Sequence, residues 1–113
     1  MKTNQTIFTN ILGSSPYLKV LGFFLTFDRF DYSKSQVAAE VGISRITIEK
    51  IWKDLMARGM IVKSREIGRA ELYRLNTESP LVKALQETNF KLASAYADLE
   101  LQESVPRRIA ARA

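Results

Sequence analysis

Residues 36–55 constrain the fold of this chain more than any other stretch, because they contain two helical patterns separated by a turn. The first pattern repeats apolar residues on one helical face, at Val37, Ala38 and Val41. Ser33 followed by Gln36 is a capping box, which predicts that this helix begins near Lys34. Gly42 is the residue type that most readily adopts a positive φ just past a helix end, so the chain is predicted to turn there.

A second helix is predicted to begin at Arg45, because Ser44 is a preferred N-cap residue. Its apolar residues follow the 3.6-residue period and predict a buried face formed by Ile48, Ile51, Trp52 and Leu55. The opposite face carries mostly basic and polar residues: Arg45, Thr47, Glu49, Lys50 and Lys53. A short helix, a glycine turn and a longer helix form a helix-turn-helix, whose second helix enters the major groove of DNA with its N-terminal residues nearest the bases.

Residues 60–67 and 71–75 are rich in β-forming residue types and flank Gly68, Arg69 and Ala70. This pattern predicts a β-hairpin with the glycine at its tip. In the second strand the alternation predicts that Tyr73 and Leu75 face the core, whereas the alternation of the first strand is less regular. The tip is basic, which favours contact with a polyanion over an ordinary exposed loop. The basic residues of the hairpin are Lys63, Arg65 and Arg69.

From about residue 15 to residue 76 the helix-turn-helix and hairpin resemble small winged-helix transcriptional regulators of the ArsR-like and MarR-like kind, found in bacteria and archaea. The resemblance implies that the hairpin is a wing touching phosphates or the adjacent minor groove. It also implies a short strand around Phe30 and Tyr32 that pairs with the hairpin, and dimerisation through a terminal helix. ArsR-like metal sensors use Cys and His ligands, and this chain contains neither, so their sensing mechanism does not carry over.

A further helix is predicted to begin at Ser15 and Pro16, an N-cap serine followed by proline at the first helical position, and to run to about Phe27. It is apolar nearly all round, which is typical of a helix contacted on several sides. We therefore interpret it as the scaffold of the core, with a ligand cavity lined by its aromatic side chains as the alternative. Its apolar residues are Leu18, Val20, Leu21, Phe23, Phe24, Leu25 and Phe27.

Both ends of the chain are predicted to contain helices with apolar stripes that need a cover. The N-terminal helix ends at Gly13 and packs either on its own chain or on a second protomer. Ser79 and Pro80 start a helix that runs to about Glu103, and a helix of that length spans about 36 Å. Its heptad-like seam favours a homodimer, with a monomer whose helix folds back as the alternative. The predicted dimerisation residues are Ile7, Phe8, Ile11, Leu81, Leu85, Leu92, Tyr96 and Leu99.

The 113 residues suffice for one compact domain. Without cysteine or histidine there is no disulfide, thiolate metal site or common general base, so we expect no enzyme activity, no metal and no cofactor. No apolar run is long enough for a membrane span or a signal peptide, which predicts a cytoplasmic protein without a membrane partner. A small-molecule effector remains open.

The net charge of +5 is unevenly distributed: residues 45–74 carry +4, residues 75–103 carry −3 and residues 104–113 carry +3. Because the basic block coincides with the helix-turn-helix and hairpin, we interpret it as a nucleic-acid surface instead of solvated charge. The predicted base readers are Arg45 and Thr47, together with Glu49 as an acceptor from a cytosine amine. Ser44 is interpreted mainly as the N-cap, with phosphate contact as its second role. The predicted phosphate anchors are Lys50, Lys53, Lys63, Arg65 and Arg69.

The expected architecture is mainly α with a small β-hairpin wing, a winged helix-turn-helix with a long C-terminal dimerisation helix. It divides into an N-terminal helix (1–13), the winged helix-turn-helix (14–77), the dimerisation helix (78–104) and a disordered basic tail (105–113). The predicted function is sequence-specific binding of double-stranded DNA by a homodimeric transcriptional regulator. A winged-helix protein-interaction module in a larger assembly is the alternative.

Overall fold

The structure of the chain, a computed structural model, describes residues 6–104. The tail predicted to be disordered, 105–113, lies outside the described residues, as do the first five. The order of elements is that of a helical domain with one hairpin between its fourth and fifth helices. The elements are α1 (Ile7–Leu12), α2 (Pro16–Thr26), α3 (Lys34–Val41), α4 (Arg45–Ala57), β1 (Ile61–Ile67), β2 (Ala70–Leu75) and α5 (Pro80–Ser104).

The helix-turn-helix has the local chemistry that the sequence predicts. Ser33 and Gln36 form a reciprocal capping box at the start of α3. At the other end of α3, Gly42 lies in the left-handed region with φ of 74°. The backbone N–H of Gly42 and that of Ile43 both donate to the carbonyl of Ala38, at 2.9 and 3.0 Å. The turn is therefore fixed by hydrogen bonds to the last turn of α3.

The core forms around α2 and the buried face of α4. Val20 and Phe24 of α2 are completely buried, which confirms that α2 is the scaffold. All four predicted apolar residues of α4 are buried as well, and the Trp52 ring lies 5.6 Å from the ring of Phe24. On its other side Trp52 meets the ring of Tyr73 edge-on at 5.4 Å, so the hairpin closes over the same core.

The hairpin pairs β1 with β2 in antiparallel register, and its tip consists of Gly68 and Arg69. Ala70 belongs to β2, so the predicted three-residue tip is one residue too long. A bulge at Ser64 breaks the register: Lys63 lies opposite Tyr73, and Arg65 lies opposite Leu72. The extra residue explains why the alternation of β1 is irregular in the sequence.

The inward side of β2 differs in part from the prediction. Leu75 is buried in the main core and Tyr73 is half-buried against it, as predicted. Leu72 is buried too, although the alternation places it on the opposite face of the strand. The predicted short strand near residue 32 exists as a bridge, because the backbone N–H of Tyr32 donates to the Tyr73 carbonyl and the reverse bond also forms, both at 2.8 Å.

The terminal helices α1 and α5 pack against each other and against α2 within one chain. Gly22 permits α1 to lie this close to α2, since a Cβ atom there would stand 2.8 Å from the Thr6 hydroxyl. Phe8 is only 3% exposed and lies in the core of its own chain, which removes it from the predicted dimer surface. On α5, Val82 is completely buried, and the Tyr96 hydroxyl accepts a hydrogen bond from the Asn10 amide at 2.9 Å.

Candidate nucleic-acid interface

The outward face of α4 is centred on a residue that the sequence reasoning left out. At 100° per residue, Ile46, Lys50 and Lys53 lie opposite the buried face of the helix, and all three are exposed. Ile46 is 75% exposed. An apolar residue on the polar face breaks the amphipathic pattern of α4. This exception in the sequence could have identified Ile46 as a candidate functional residue.

Four of the predicted DNA-contacting cations are unpaired. Among residues 6–104 the salt bridges involve other side chains, and none of them includes Arg45, Lys50, Lys53 or Arg69. Three of the four lie on α4, and all four are exposed. Apart from the Coulombic attraction between Glu49 and Lys53, the cations of α4 present positive charge with no carboxylate bound to them among the described residues.

Glu49 is held by a lysine from the preceding helix. The Lys34 ammonium group donates to both Glu49 carboxylate oxygens, at 2.9 and 3.0 Å. This hydrogen bonding, followed by the attraction of the same charge, lowers the pKa of the Glu49 carboxyl. Together with Arg45 the pair lines a groove of about 530 Å³ between α3 and α4. Lys34 thus draws the one acidic residue of this face back toward α3.

Ser44 and Thr47 are engaged with each other at the start of α4. The Ser44 hydroxyl accepts from the Thr47 backbone N–H at 3.1 Å, which makes Ser44 the N-cap. The same hydroxyl donates to the Thr47 hydroxyl at 2.9 Å. Thr47 is half-buried and lies about 100° round the helix from Ile46. The structure therefore places Thr47 on the flank of the outward face.

Two of the three predicted hairpin cations, Lys63 and Arg65, are paired with carboxylates of the same chain. Arg65 donates from Nε to Asp31 Oδ2 at 2.8 Å and from Nη2 to Oδ1 at 3.2 Å, and the Ser64 hydroxyl donates to the same carboxylate. Hydrogen bonds from Arg65 and then from Ser64 lower the pKa of Asp31 to about 2. At Lys63 the ammonium group contacts the carboxylates of Glu66 and Glu71. Of the three predicted hairpin cations, Arg69 at the tip forms no salt bridge among the described residues.

A polar contact fixes the orientation of α4 on α2. The Tyr17 hydroxyl donates to Asp54 Oδ2 at 2.6 Å, and Arg58 Nε donates to the same oxygen at 2.7 Å. Burial, reinforced by the Asp54 carboxylate, raises the pKa of Tyr17 to about 12. The phenol therefore stays protonated and keeps its donor role across the ordinary pH range.

A second groove, of about 510 Å³, lies away from the outward face of α4 and is lined by Phe23, Phe27, Tyr32, Gln36, Ala39 and Glu40.

The described part of the chain contains no cluster of three or more His, Cys, Asp or Glu side chains able to hold a metal ion. Among its helices, none has the length and apolar character needed to cross a membrane.

The helix-turn-helix, the hairpin that follows α4 and the bridge from Tyr32 to that hairpin define a winged helix-turn-helix fold. A structure of Lactococcus lactis ZitR, a Cys-and-His double mutant in its apo form, is similar, with a TM-score of 0.58. The two chains are 22% identical, and the match covers 81% of this chain and 76% of that one. This similarity confirms the predicted fold class. No protein-family model matches the sequence, and no curated protein matches it.

Proposed function

We propose that this chain is a sequence-specific, double-stranded DNA-binding transcriptional regulator without catalytic activity. The observation that carries the proposal is that Arg45, Lys50 and Lys53 of α4 are exposed and form no salt bridge among the described residues. A positive, protruding helix whose other face is buried in the core fits the major groove of DNA.

The geometry supports different roles for the basic residues. Arg45 is at the first position of α4, where a side chain reaches base edges, and Lys50 and Lys53 are suited to the flanking phosphates. Arg69 at the wing tip is suited to the backbone or the adjacent minor groove. Lys63 and Arg65 contact phosphate in competition with their own carboxylate partners, so they contribute less to affinity than the unpaired cations.

A homodimer is the proposed active form, with α5 as its interface. Leu81 and Leu99 of α5 are 47% and 50% exposed, on the same flank of the helix as Thr88 and Ala95. An apolar flank of this length is commonly covered by a partner helix. Two-fold symmetry then predicts a pseudo-palindromic site whose half-site centres lie roughly 34 Å apart, or a multiple of that.

The salt dependence of binding tests the proposal. If Lys50, Lys53 and Arg69 of each protomer contact phosphates, the logarithm of the affinity should fall with the logarithm of the salt concentration at a slope of about −5 for the dimer. Fluorescence anisotropy on a labelled duplex measures this slope. Lys53→Ala should make the slope shallower by about 2 per dimer, whereas Lys91→Ala, on α5, should leave it unchanged. A flat response of the unmodified protein contradicts nucleic-acid binding, and heparin retention without a duplex shift favours the protein-interaction module.

A further inference from the structure

Ile46 is the most exposed large hydrophobic residue in the described part of the chain. It lies at the centre of the outward face of α4, between Arg45 and Lys50, and takes no part in the core cluster. The Ile46 side chain therefore makes no contribution to the hydrophobic core.

The position of Ile46 limits what it can recognise. On a helix lying in the major groove, the centre of the outward face in the first turn meets base edges and not phosphates. An isoleucine side chain neither donates nor accepts a hydrogen bond. The one apolar group that base pairs expose in the major groove is the 5-methyl group of thymine. The other features there are hydrogen-bonding groups, which an aliphatic side chain would leave unsatisfied, and the C5–H edge of cytosine, which offers much less apolar surface than a methyl group.

We propose that Ile46 reads the 5-methyl group of a pyrimidine in each half-site, a specificity that rests on the proposed function. The same group occurs on thymine and on 5-methylcytosine, which differ at the neighbouring ring position: thymine has an acceptor oxygen there and cytosine a donor amine. Arg45, which lines a pocket together with Ile46 and is suited to base edges, supplies only donors. The acidic acceptor of this face, Glu49, is bound by Lys34. Thymine is therefore the favoured source of the methyl group.

The test begins with a pool of random duplexes, from which the unmodified full-length protein enriches its preferred sequence. That duplex is then synthesised with deoxyuridine in place of thymine at one position at a time, which removes only the methyl group. At one thymine of each half-site, this change should weaken binding by the unmodified protein by about 3- to 10-fold, measured by fluorescence anisotropy at fixed salt. Replacing the same base by 5-methylcytosine, with guanine opposite, should not restore the affinity.

Three variants make the assignment specific. Ile46→Ala should bind the thymine and deoxyuridine duplexes equally well, and the exposure of Ile46 means that the substitution leaves the core intact. Ile46→Val keeps a branched apolar side chain and should retain a preference for thymine. Met56→Ala removes an exposed apolar side chain at the other end of the same helix and should keep the full effect of deoxyuridine.

Two results would overturn the assignment while leaving the proposed function intact: tolerance of deoxyuridine at every position by the unmodified protein, or an unchanged deoxyuridine effect in Ile46→Ala. Restored affinity with 5-methylcytosine would support methyl recognition but overturn the preference for thymine. If the pool yields no enriched sequence, sequence-specific binding itself is wrong and the role of Ile46 falls with it.

Discussion

At the scale of single residues, Asp31 reduces the positive charge that the wing presents. Its carboxylate accepts hydrogen bonds from both Arg65 and Ser64, so it neutralises Arg65 and ties the bulged part of β1 to the segment before α3. A phosphate that approaches Arg65 must therefore compete with the charge of this carboxylate. The wing of the free protein is therefore less basic than its sequence indicates.

Replacing Asp31 by asparagine should strengthen nonspecific DNA binding. The change removes the competing charge, so Arg65 becomes available to phosphate, and the salt slope should steepen by about 1 per protomer. Fluorescence anisotropy on a nonspecific duplex over a range of salt concentrations measures both effects. Asp98→Asn removes an exposed carboxylate from α5 and provides the control. Equal slopes for Asp31→Asn and the unmodified protein would show that Arg65 does not reach DNA.

The same residue gives a prediction about pH. Because Arg65 and Ser64 lower the pKa of Asp31 from 3.8 to about 2, the tether should be fully formed above about pH 4 and should be lost as the pH falls through about 2. An NMR titration that follows the Asp31 carboxyl carbon measures the midpoint directly. In Arg65→Ala the midpoint should rise toward 3.8. A midpoint near 3.8 in the unmodified protein would mean that the ion pair is not formed in solution.

At the scale of elements, the turn between α3 and α4 sets the position of the recognition helix. Gly42 holds a φ of 74°, a conformation that costs an L-residue with a Cβ atom roughly 1–2 kcal/mol. Gly42→Ala should therefore lower the free energy of unfolding in urea by about that amount. Gly42→Asn should cost less, because asparagine tolerates the left-handed region better than alanine. If the two variants are equally stable, backbone conformation is not what glycine contributes here.

The elements also show what sequence reasoning can and cannot predict. The helix starts at Lys34 and Arg45 were predictable because capping depends on residues within one turn. The bulge at Ser64 was not, because period-2 reasoning assumes an unbroken register. Ion pairs joining distant residues were equally invisible. Asp31 is far from Arg65 in the sequence, and only the fold brings the two side chains together.

On the outward side of α4, local features were likewise predictable from the sequence and tertiary contacts were not. Its basic residues were visible in the sequence, since their charge and spacing are local properties. The pairing of Glu49 with Lys34 depends on the crossing of two helices and was missed. Ile46 was missed for another reason: charge was used as the marker of the outward face, so an apolar residue on that face was passed over.

At the scale of the whole molecule, α5 gives the chain its elongated shape of 59 × 29 × 21 Å. The predicted heptad seam is divided in the structure. Leu85 and Leu92 pack half-buried against the core of their own chain, whereas Leu81 and Leu99 remain exposed on one flank. The sequence could not separate these residues because a wide apolar stripe serves an intrachain and an interchain contact equally well. Of the predicted seam, Leu81 and Leu99 are thus the residues that remain available to a second protomer.

Introducing charge on this flank should dissociate the proposed dimer. Light scattering after size exclusion should give about twice the 12.8 kDa chain mass for the unmodified protein and the chain mass itself for the double variant Leu81→Asp, Leu99→Asp. Phe90→Asp is the matched control, because Phe90 is 72% exposed about half a turn away from both leucines, and it should remain dimeric. Dissociation by Phe90→Asp alone would move the interface to the opposite flank. The unmodified protein could instead be monomeric in solution and still protect a two-fold symmetric DNA site. That result would mean that dimerisation occurs only on DNA and that α5 does not dimerise the free protein.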